Sequence, residues 1–112
     1  MEMAVDQMGG VAVVAVPVEE LDAGNTVEFK SAMLPVLEAN TKVVLDLSKL
    51  RFVDSSGLGS FLSCLRKLNA RGGDLKLCGM LPQVRTVVEL VRMHRIFDIY
   101  GTKEEAVRAF RA

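Results

Sequence analysis

The sequence has few of the residues that most often hold metals or cross-link a chain. It contains one histidine, His94, and two cysteines, Cys64 and Cys78. The cysteines lie too far apart to form a metal-binding or redox motif, and both fall on apolar patterns. We therefore predict that they are buried free thiols, which suits a reducing compartment, and we expect no metal and no cofactor.

Charge of one sign is not in excess either. The chain has 14 basic and 14 acidic residues, so its formal net charge is zero. Nucleic-acid binders usually carry a basic excess or a basic stripe, because neutralising phosphates supplies most of their affinity. The short basic cluster Arg92-Met93-His94-Arg95 has no aromatic residue within it. We therefore expect no direct contact with nucleic acid.

Long hydrophobic runs are also missing. No apolar stretch approaches the roughly 20 residues that a membrane-spanning helix needs. The first six residues include no basic side chain, and their acidic residues interrupt any apolar stretch that could act as a signal peptide. The sequence predicts a soluble, cytoplasmic protein that does not insert into a membrane.

What the sequence does contain is enough for one packed domain. Of its 112 residues, 50% are hydrophobic and 25% are charged, which is a globular composition. A domain near this length buries roughly 65% of the surface that its unfolded chain exposes. Residues 1–112 are therefore predicted to form a single domain that needs no disulfide or metal to fold.

Strands and helices alternate along the chain. The strands are predicted from β-rich or apolar runs at residues 3–8, 11–16, 43–47, 75–78 and 97–100. Gly9-Gly10 separates the first two runs and supplies the positive φ angles of a two-residue hairpin turn. The alternation predicts an α/β fold with a mixed, mostly parallel sheet of four to five strands and about four helices.

The clearest helix is predicted after the third strand. Its apolar residues recur at helical spacing, on a stripe formed by Leu58, Phe61, Leu62, Leu65 and Leu68. We expect Leu62 to fill a site in the core.

End signals mark three further helices. Asn25 with Glu28, and Thr102 with Glu105, have the spacing of capping boxes. Another helix is predicted after Pro82, which is a favourable first-turn residue. Pro35 lies inside the first helix and is expected to kink it or to mark a restart.

The loops that follow three strands are predicted to share one edge of the sheet. If the strands ending at Val16, Leu47 and Cys78 are parallel, their carboxyl ends point the same way. The loops concerned are residues 19–25, 48–57 and 79–82. In open α/β sheets this edge is where ligands and partners usually bind.

The most informative segment is Phe52-Val53-Asp54-Ser55-Ser56-Gly57-Leu58-Gly59. Asp54 and Ser55 are favourable N-cap residues for the helix that follows. A helix N-terminus also favours negative charge, so a phosphate on Ser55 could be accommodated there without melting the helix. The residues alone leave two interpretations open, since Asp54, Ser55 and Ser56 either do no more than cap the helix or present a hydroxyl for modification.

The string Val53-Asp54-Ser55-Ser56-Gly57-Leu58-Gly59 resembles the signature of the STAS domain, in particular that of bacterial anti-sigma factor antagonists. The resemblance extends over nearly the whole chain. It includes the string Glu20-Leu21-Asp22, the apolar strand at residues 43–47, and Gly72-Gly73 before the next strand. One position departs from the family, because Glu19 stands where a glycine often precedes the Glu-Leu-Asp string.

The resemblance implies a STAS-like fold and a regulatory function in sigma-factor-dependent transcription. An unmodified antagonist of this kind binds an anti-sigma factor that is also a serine kinase. The kinase phosphorylates the first serine after the motif aspartate, here Ser55, and the modified antagonist is released; a PP2C-type phosphatase resets it. The resemblance places Asp22, Asp54, Ser56 and Gly57 with Ser55 at the partner-binding surface.

Two alternatives to an antagonist can be weighed. No catalytic constellation is recognisable, because Ser55 lacks a Gly-x-Ser-x-Gly context and Gly57-x-Gly59 lacks the third glycine of a dinucleotide fingerprint. We therefore expect no enzymatic activity. STAS domains also serve as subunits of transport or stress-signalling complexes, in which the domain is a binding module that is not phosphorylated.

Overall fold

The computed structural model describes residues 1–111 and arranges them as alternating strands and helices. The strands are β1 (Ala4–Met8), β2 (Val11–Ala15), β3 (Glu20–Leu21), β4 (Lys42–Asp46), β5 (Phe52–Val53), β6 (Asp74–Cys78) and β7 (Asp98–Tyr100). The helices are α1 (Thr26–Ala39), α2 (Ser55–Asn69), α3 (Pro82–Leu90) and α4 (Lys103–Arg111), with a 3₁₀ turn at Met93–Arg95.

Five of the strands form one mixed sheet in the order β1-β2-β4-β6-β7. β1 and β2 pair antiparallel across the Gly9-Gly10 turn, where both glycines have positive φ angles of 58° and 82°. Every other pairing in this sheet is parallel. The α/β fold class, the mostly parallel sheet and the four helices predicted from the sequence are confirmed within residues 1–111.

Helices cover both faces of the sheet. On one face, β2, β4 and β6 direct apolar side chains towards α1, α2 and α3, and Phe29 of α1 meets Phe61 of α2 edge-on with ring centroids 5.8 Å apart. On the other face, Val13 and Val44 pack against Ala106 and Val107 of α4. This two-sided burial explains why the central strands are nearly continuous apolar runs.

The two-residue strands β3 and β5 form a separate parallel pair, which the sequence analysis did not predict. Glu20 is opposite Phe52, and Leu21 is opposite Val53. Leu21 and Val53 are buried, so the pair is attached to the main core although it does not join the main sheet.

Two helix-level predictions from the sequence are wrong in detail. Leu62 is only partly buried at the edge of the core, whereas Cys64, which is not on the predicted stripe, is buried beside Leu65. Asn25 precedes α1 but makes no side-chain capping bond to it. Its amide instead accepts from the backbone N–H of Asp22 and donates to the carbonyl of Glu20.

Thr102 and Pro35 differ in whether the structure follows their sequence signals. Thr102 caps α4 as predicted, since its hydroxyl oxygen accepts from the backbone N–H of Glu105 at 3.2 Å. Pro35 lies inside α1, which continues through it from Thr26 to Ala39 without the predicted restart.

Both cysteines are buried and free, as predicted. Burial raises the pKa of the Cys64 thiol to about 11, although the positive charges of Lys67 and Lys30 oppose this change. Burial also raises the pKa of the Cys78 thiol to about 12. Both thiols are therefore neutral at physiological pH.

Lys76 is a buried charge on the sheet, with 7% of its surface exposed. Its Nζ lies 2.8 Å from a carboxylate oxygen of Asp98 and 3.2 Å from one of Asp74, and 4.7 Å from the ring centroid of Phe110. Burial alone would lower the pKa of Lys76, but the hydrogen bonds and charges of Asp98 and Asp74 outweigh burial and raise it.

Candidate functional site

The carboxyl ends of the parallel strands lie at one edge of the sheet, as predicted. Backbone hydrogen bonds continue the ladder just past the strand ends, from Val16 N–H to the carbonyl of Asp46 and from Leu47 N–H to the carbonyl of Cys78. The predicted loops after β2, β4 and β6 therefore start side by side. The short pair β3 and β5 lies within the first two of these loops.

Asp54 joins these two loops at the start of α2. One of its carboxylate oxygens accepts from the backbone N–H of Gly57 at 2.9 Å, so Asp54 is the N-cap. The other oxygen accepts from the backbone N–H of Ala23 at 3.2 Å. One carboxylate thus satisfies a donor in the first turn of α2 and holds the loop after β3 against it.

Ser55 and Ser56 are the first two residues of α2, and both are exposed to solvent. The first N–H groups of an α-helix have no partner within the helix, so a negative group at this end is favoured by them and by the helix dipole. The structure therefore places the Ser55 hydroxyl at a solvent-accessible position that can accommodate an anion.

Gly57 fits only because it has no side chain. A Cβ at this position would lie 2.5 Å from Cγ2 of Val53 and 2.6 Å from the carbonyl oxygen of Leu21. The first turn of α2 therefore packs directly against the backbone of β3 and the side chain of β5. Gly57 is buried, so it shapes the surface from below and is not itself exposed to a partner.

Asp22 organises the loop after β3. Its carboxylate accepts from the backbone N–H of Gly24 at 2.8 Å, and its carbonyl accepts from the N–H groups of Asn25 and Thr26. The half-buried Asp22 and Asp54 are thus drawn into the same pair of adjoining loops. We refer to Asp22, Asp54, Ser55 and Ser56, with Gly57 buried beneath them, as the Ser55 surface.

Glu19 adopts an ordinary backbone conformation and so does not need to be glycine. Arg92 is the one non-glycine residue with positive φ in residues 1–111. The carbonyl of Glu19 accepts from the N–H groups of Arg51 and Phe52 at 2.7 and 3.0 Å, which extends the β3–β5 pairing by one step. The backbone at Glu19 therefore takes part in the β3–β5 pairing without requiring glycine.

Phe52 is a surface residue to which the sequence analysis gave no role. Its side chain is 51% exposed although its neighbour Val53 is 2% exposed, because successive residues of a strand point to opposite sides. The exposure of Phe52 depends on the pairing of β5 with β3. That pairing cannot be predicted from the sequence, because a strand of two residues is too short to show an alternating pattern. An exposed phenylalanine therefore precedes Ser55 by three residues in the chain.

Residues 1–111 contain neither a candidate metal-binding cluster nor a helix that could span a membrane. Across residues 1–111, no group of three or more His, Cys, Asp or Glu side chains is arranged to hold a metal ion. None of the helices in that range is both long and apolar enough to span a bilayer.

Residues 1–111 thus form a small α/β domain, with a helix-covered mixed sheet and an exposed serine at the start of α2. The chain belongs to the STAS domain family, because the family's sequence profile matches residues 2–106. This is a family of binding and regulatory modules. The relatives of this chain that are described below are anti-sigma factor antagonists, so the resemblance noted from the sequence is confirmed.

Three relatives give the extent of the similarity. The anti-sigma F factor antagonist of Paenibacillus polymyxa is 34% identical over 65 residues, which are 58% of this chain and 56% of that protein. The anti-sigma-B factor antagonist of Staphylococcus epidermidis is 30% identical over 86 residues, which are 76% of this chain and 71% of that protein. The crystal structure of an anti-sigma factor antagonist from Mycobacterium paratuberculosis superposes with a TM-score of 0.87 at 26% identity, covering 98% of this chain and 93% of that one.

Proposed function

We propose that this chain is a cytoplasmic anti-sigma factor antagonist without catalytic activity of its own. In its unmodified form it binds an anti-sigma factor that is also a serine kinase, through the Ser55 surface. Phosphorylation of Ser55 by that kinase releases the chain, and a PP2C-type phosphatase restores the binding form. The names of the relatives support the class of partner.

The position of Ser55 is the single observation that carries this proposal. It is the first residue of α2, it is exposed, and it stands on a backbone held by the Asp54 cap and by the close packing of Gly57. A kinase can therefore reach the hydroxyl without unfolding the domain. A partner can equally bury it in an interface.

A phosphate at this position would change the surface more than the fold. It adds a charge of about −1.5 to −2 at neutral pH and three acceptor oxygens. The helix N-terminus tolerates that charge. Asp22 and Asp54 already carry negative charge in the adjoining loops. A partner that buries a phosphorylated Ser55 would have to desolvate a strongly charged group.

The proposal is tested by incubating the chain with ATP and the serine kinase that is recovered with it from its host, and mapping the product by mass spectrometry. We expect phosphate on Ser55 in the unmodified sequence and in Ser56→Ala, and none in Ser55→Ala. Ser55→Ala should also remain bound to the kinase in the presence of ATP. Phosphate transfer to Ser55→Ala, most simply at Ser56, would contradict the assignment.

The same recovery experiment separates the antagonist from the other function of this fold. If the partner recovered with the chain is a membrane transporter or a large stress-signalling complex, and Ser55 carries no phosphate, the chain is a passive binding subunit. Recovery of an ATP-binding serine kinase supports the antagonist.

A further inference from the structure

A groove lies between α1 and α2, away from the Ser55 surface. It has two adjoining lobes of about 460 and 250 Å³ that share Leu34, Leu37 and Lys67 in their walls. The larger volume is within the range of small-molecule sites. The wall from α1 runs from Val27 to Glu38, which is roughly 16 Å of helix.

The floor of the groove is apolar and partly open to solvent. Leu34 and Val27 line it although 39% and 73% of their surfaces are exposed. Cys64 also lines it, and its buried thiol stays neutral because burial raises its pKa to about 11. The floor of the groove therefore consists of hydrocarbon and a neutral thiol.

Two like charges converge on this apolar floor from opposite walls. Lys30 of α1 and Lys67 of α2 both line the smaller lobe, and both are near enough to influence the Cys64 thiol. Within residues 1–111, neither ammonium group forms an ion pair. Two ammonium groups in the walls of one lobe repel each other, and an anion bound between them would replace this repulsion with two attractions.

The smaller lobe also offers neutral donors. Ser31 of α1 and Ser63 of α2 line it beside Lys30 and Lys67, so both walls present a hydroxyl as well as an ammonium group. Such groups suit a carboxylate, whose two oxygens accept several hydrogen bonds. The larger lobe continues from there past Leu34 and Leu37 towards Ala70, with Glu38 and Arg71 also in its wall.

We propose that this groove binds the anion of a fatty acid of medium chain length, such as dodecanoate, with its carboxylate between Lys30 and Lys67 and its alkyl chain over Leu34 and Leu37. The carboxylate neutralises the two like charges, and the chain removes apolar floor from water. Ser63 lies eight residues after Ser55, about 12 Å along α2, so the bound anion would not contact the Ser55 surface. The proposal is therefore independent of the kinase cycle.

The test is a titration of the ¹⁵N-labelled full chain with monomeric sodium dodecanoate, followed by amide chemical shifts. Saturable shifts confined to residues 27–38 and 63–71 are expected. Dodecyltrimethylammonium, which has the same tail and a cationic head, and butyrate, which has the same head and almost no tail, should each produce no saturable shift in these residues. Equal binding of the cationic amphiphile would overturn the proposal.

Lys67→Gln should weaken dodecanoate binding by about tenfold, because a charge-assisted contact is replaced by a neutral one. Lys49→Gln is the matched control, since Lys49 is an exposed lysine in the loop after β4 and does not line the groove. It should leave the affinity unchanged, and thermal melting should show that both variants are folded. Equal affinities for the two variants would overturn the site. Saturable binding of an acidic amphipathic peptide without any response to dodecanoate would overturn it in favour of a protein partner.

Discussion

Gly57 and Gly59 lie two residues apart at the start of α2 but have very different surroundings. A Cβ on Gly57 would collide with Val53 and with the backbone of Leu21, whereas a Cβ on Gly59 would meet no atom within 4 Å. Glycine within a helix is otherwise unfavourable compared with alanine. The first glycine is thus required by a close contact, and the second is not required for packing.

We expect Gly57→Ala to lower the free energy of unfolding by about 1–3 kcal/mol, because the new methyl group forces α2 away from β3. Gly59→Ala should raise it by about 0.5–1 kcal/mol through helix propensity alone. Urea denaturation of the two variants measures both values. A Gly57→Ala variant that is as stable as the unmodified chain would contradict the close contact between α2 and β3.

Ser55→Asp tests the effect of charge at the residue that the proposal depends on. The fold should be retained, because an acidic residue at the first helical position is favoured by the helix dipole. Binding of the kinase partner should weaken by about 2–5 kcal/mol, because a charge is introduced into a buried contact. Calorimetric titration measures the loss, and an affinity equal to that of the unmodified chain would contradict the proposed release mechanism.

At the scale of elements, α2 shows how the buried face of a helix differs from its apolar stripe. Leu65 is 4% exposed, whereas Leu62 is only half-buried beside the core. Ser60 completes the buried face, and its hydroxyl donates to the carbonyl of Gly57 at 2.6 Å. A polar residue can occupy that face because its hydrogen bond is satisfied within the helix.

Leu65→Ala should lower the free energy of unfolding by about 2–5 kcal/mol, as expected when a buried leucine leaves a cavity. Leu62→Ala should cost clearly less, because solvent already reaches part of that side chain. Chemical denaturation of the pair gives the comparison. A larger loss for Leu62→Ala would mean that α2 is rotated relative to the sheet.

The elements that could be predicted from the sequence are those whose burial leaves a long pattern. β4 is an apolar run and α2 an apolar stripe, because one is covered on two faces and the other on one. β3 and β5 have two residues each, which is too short for any period to appear. The exposed position of Ser55 followed from its place at a helix start, but the bond from Ala23 to Asp54 joins residues 31 apart and leaves no local signal.

At the scale of the whole molecule, three buried titratable groups make the fold sensitive to alkali. The thiols of Cys64 and Cys78 have an ordinary pKa of 9.0, which burial raises to about 11 and about 12 in the folded chain. The pKa of Lys76 is also raised above its ordinary 10.5, since the contacts with Asp98 and Asp74 outweigh the opposing effect of burial. Above pH 9 the unfolded chain therefore loses protons that the folded chain retains.

We expect the free energy of unfolding to fall between about pH 9 and pH 11, by up to about 1.4 kcal/mol per pH unit for each thiol. The contribution of each thiol is fully present below its unfolded pKa and is lost as pH rises towards the folded value. Urea denaturation at a series of pH values measures the slope. The double variant Cys64→Ala with Cys78→Ala is the control, and its slope between pH 9 and 10 should be shallower even if it is less stable overall; an unchanged slope would assign the effect to other groups.

The close packing of the first turn of α2 against β3 limits how far a modification of Ser55 could change the backbone. Gly57 packs against the backbone of β3, and Asp54 accepts a hydrogen bond from the loop after β3. The backbone around Ser55 therefore has little room to rearrange. Modified and unmodified chains should therefore have almost superimposable backbones and equal hydrodynamic radii. The two forms would differ in the charge and the hydrogen-bonding groups of the surface, but not in its shape. Only a molecule that contacts Ser55 directly could therefore distinguish them.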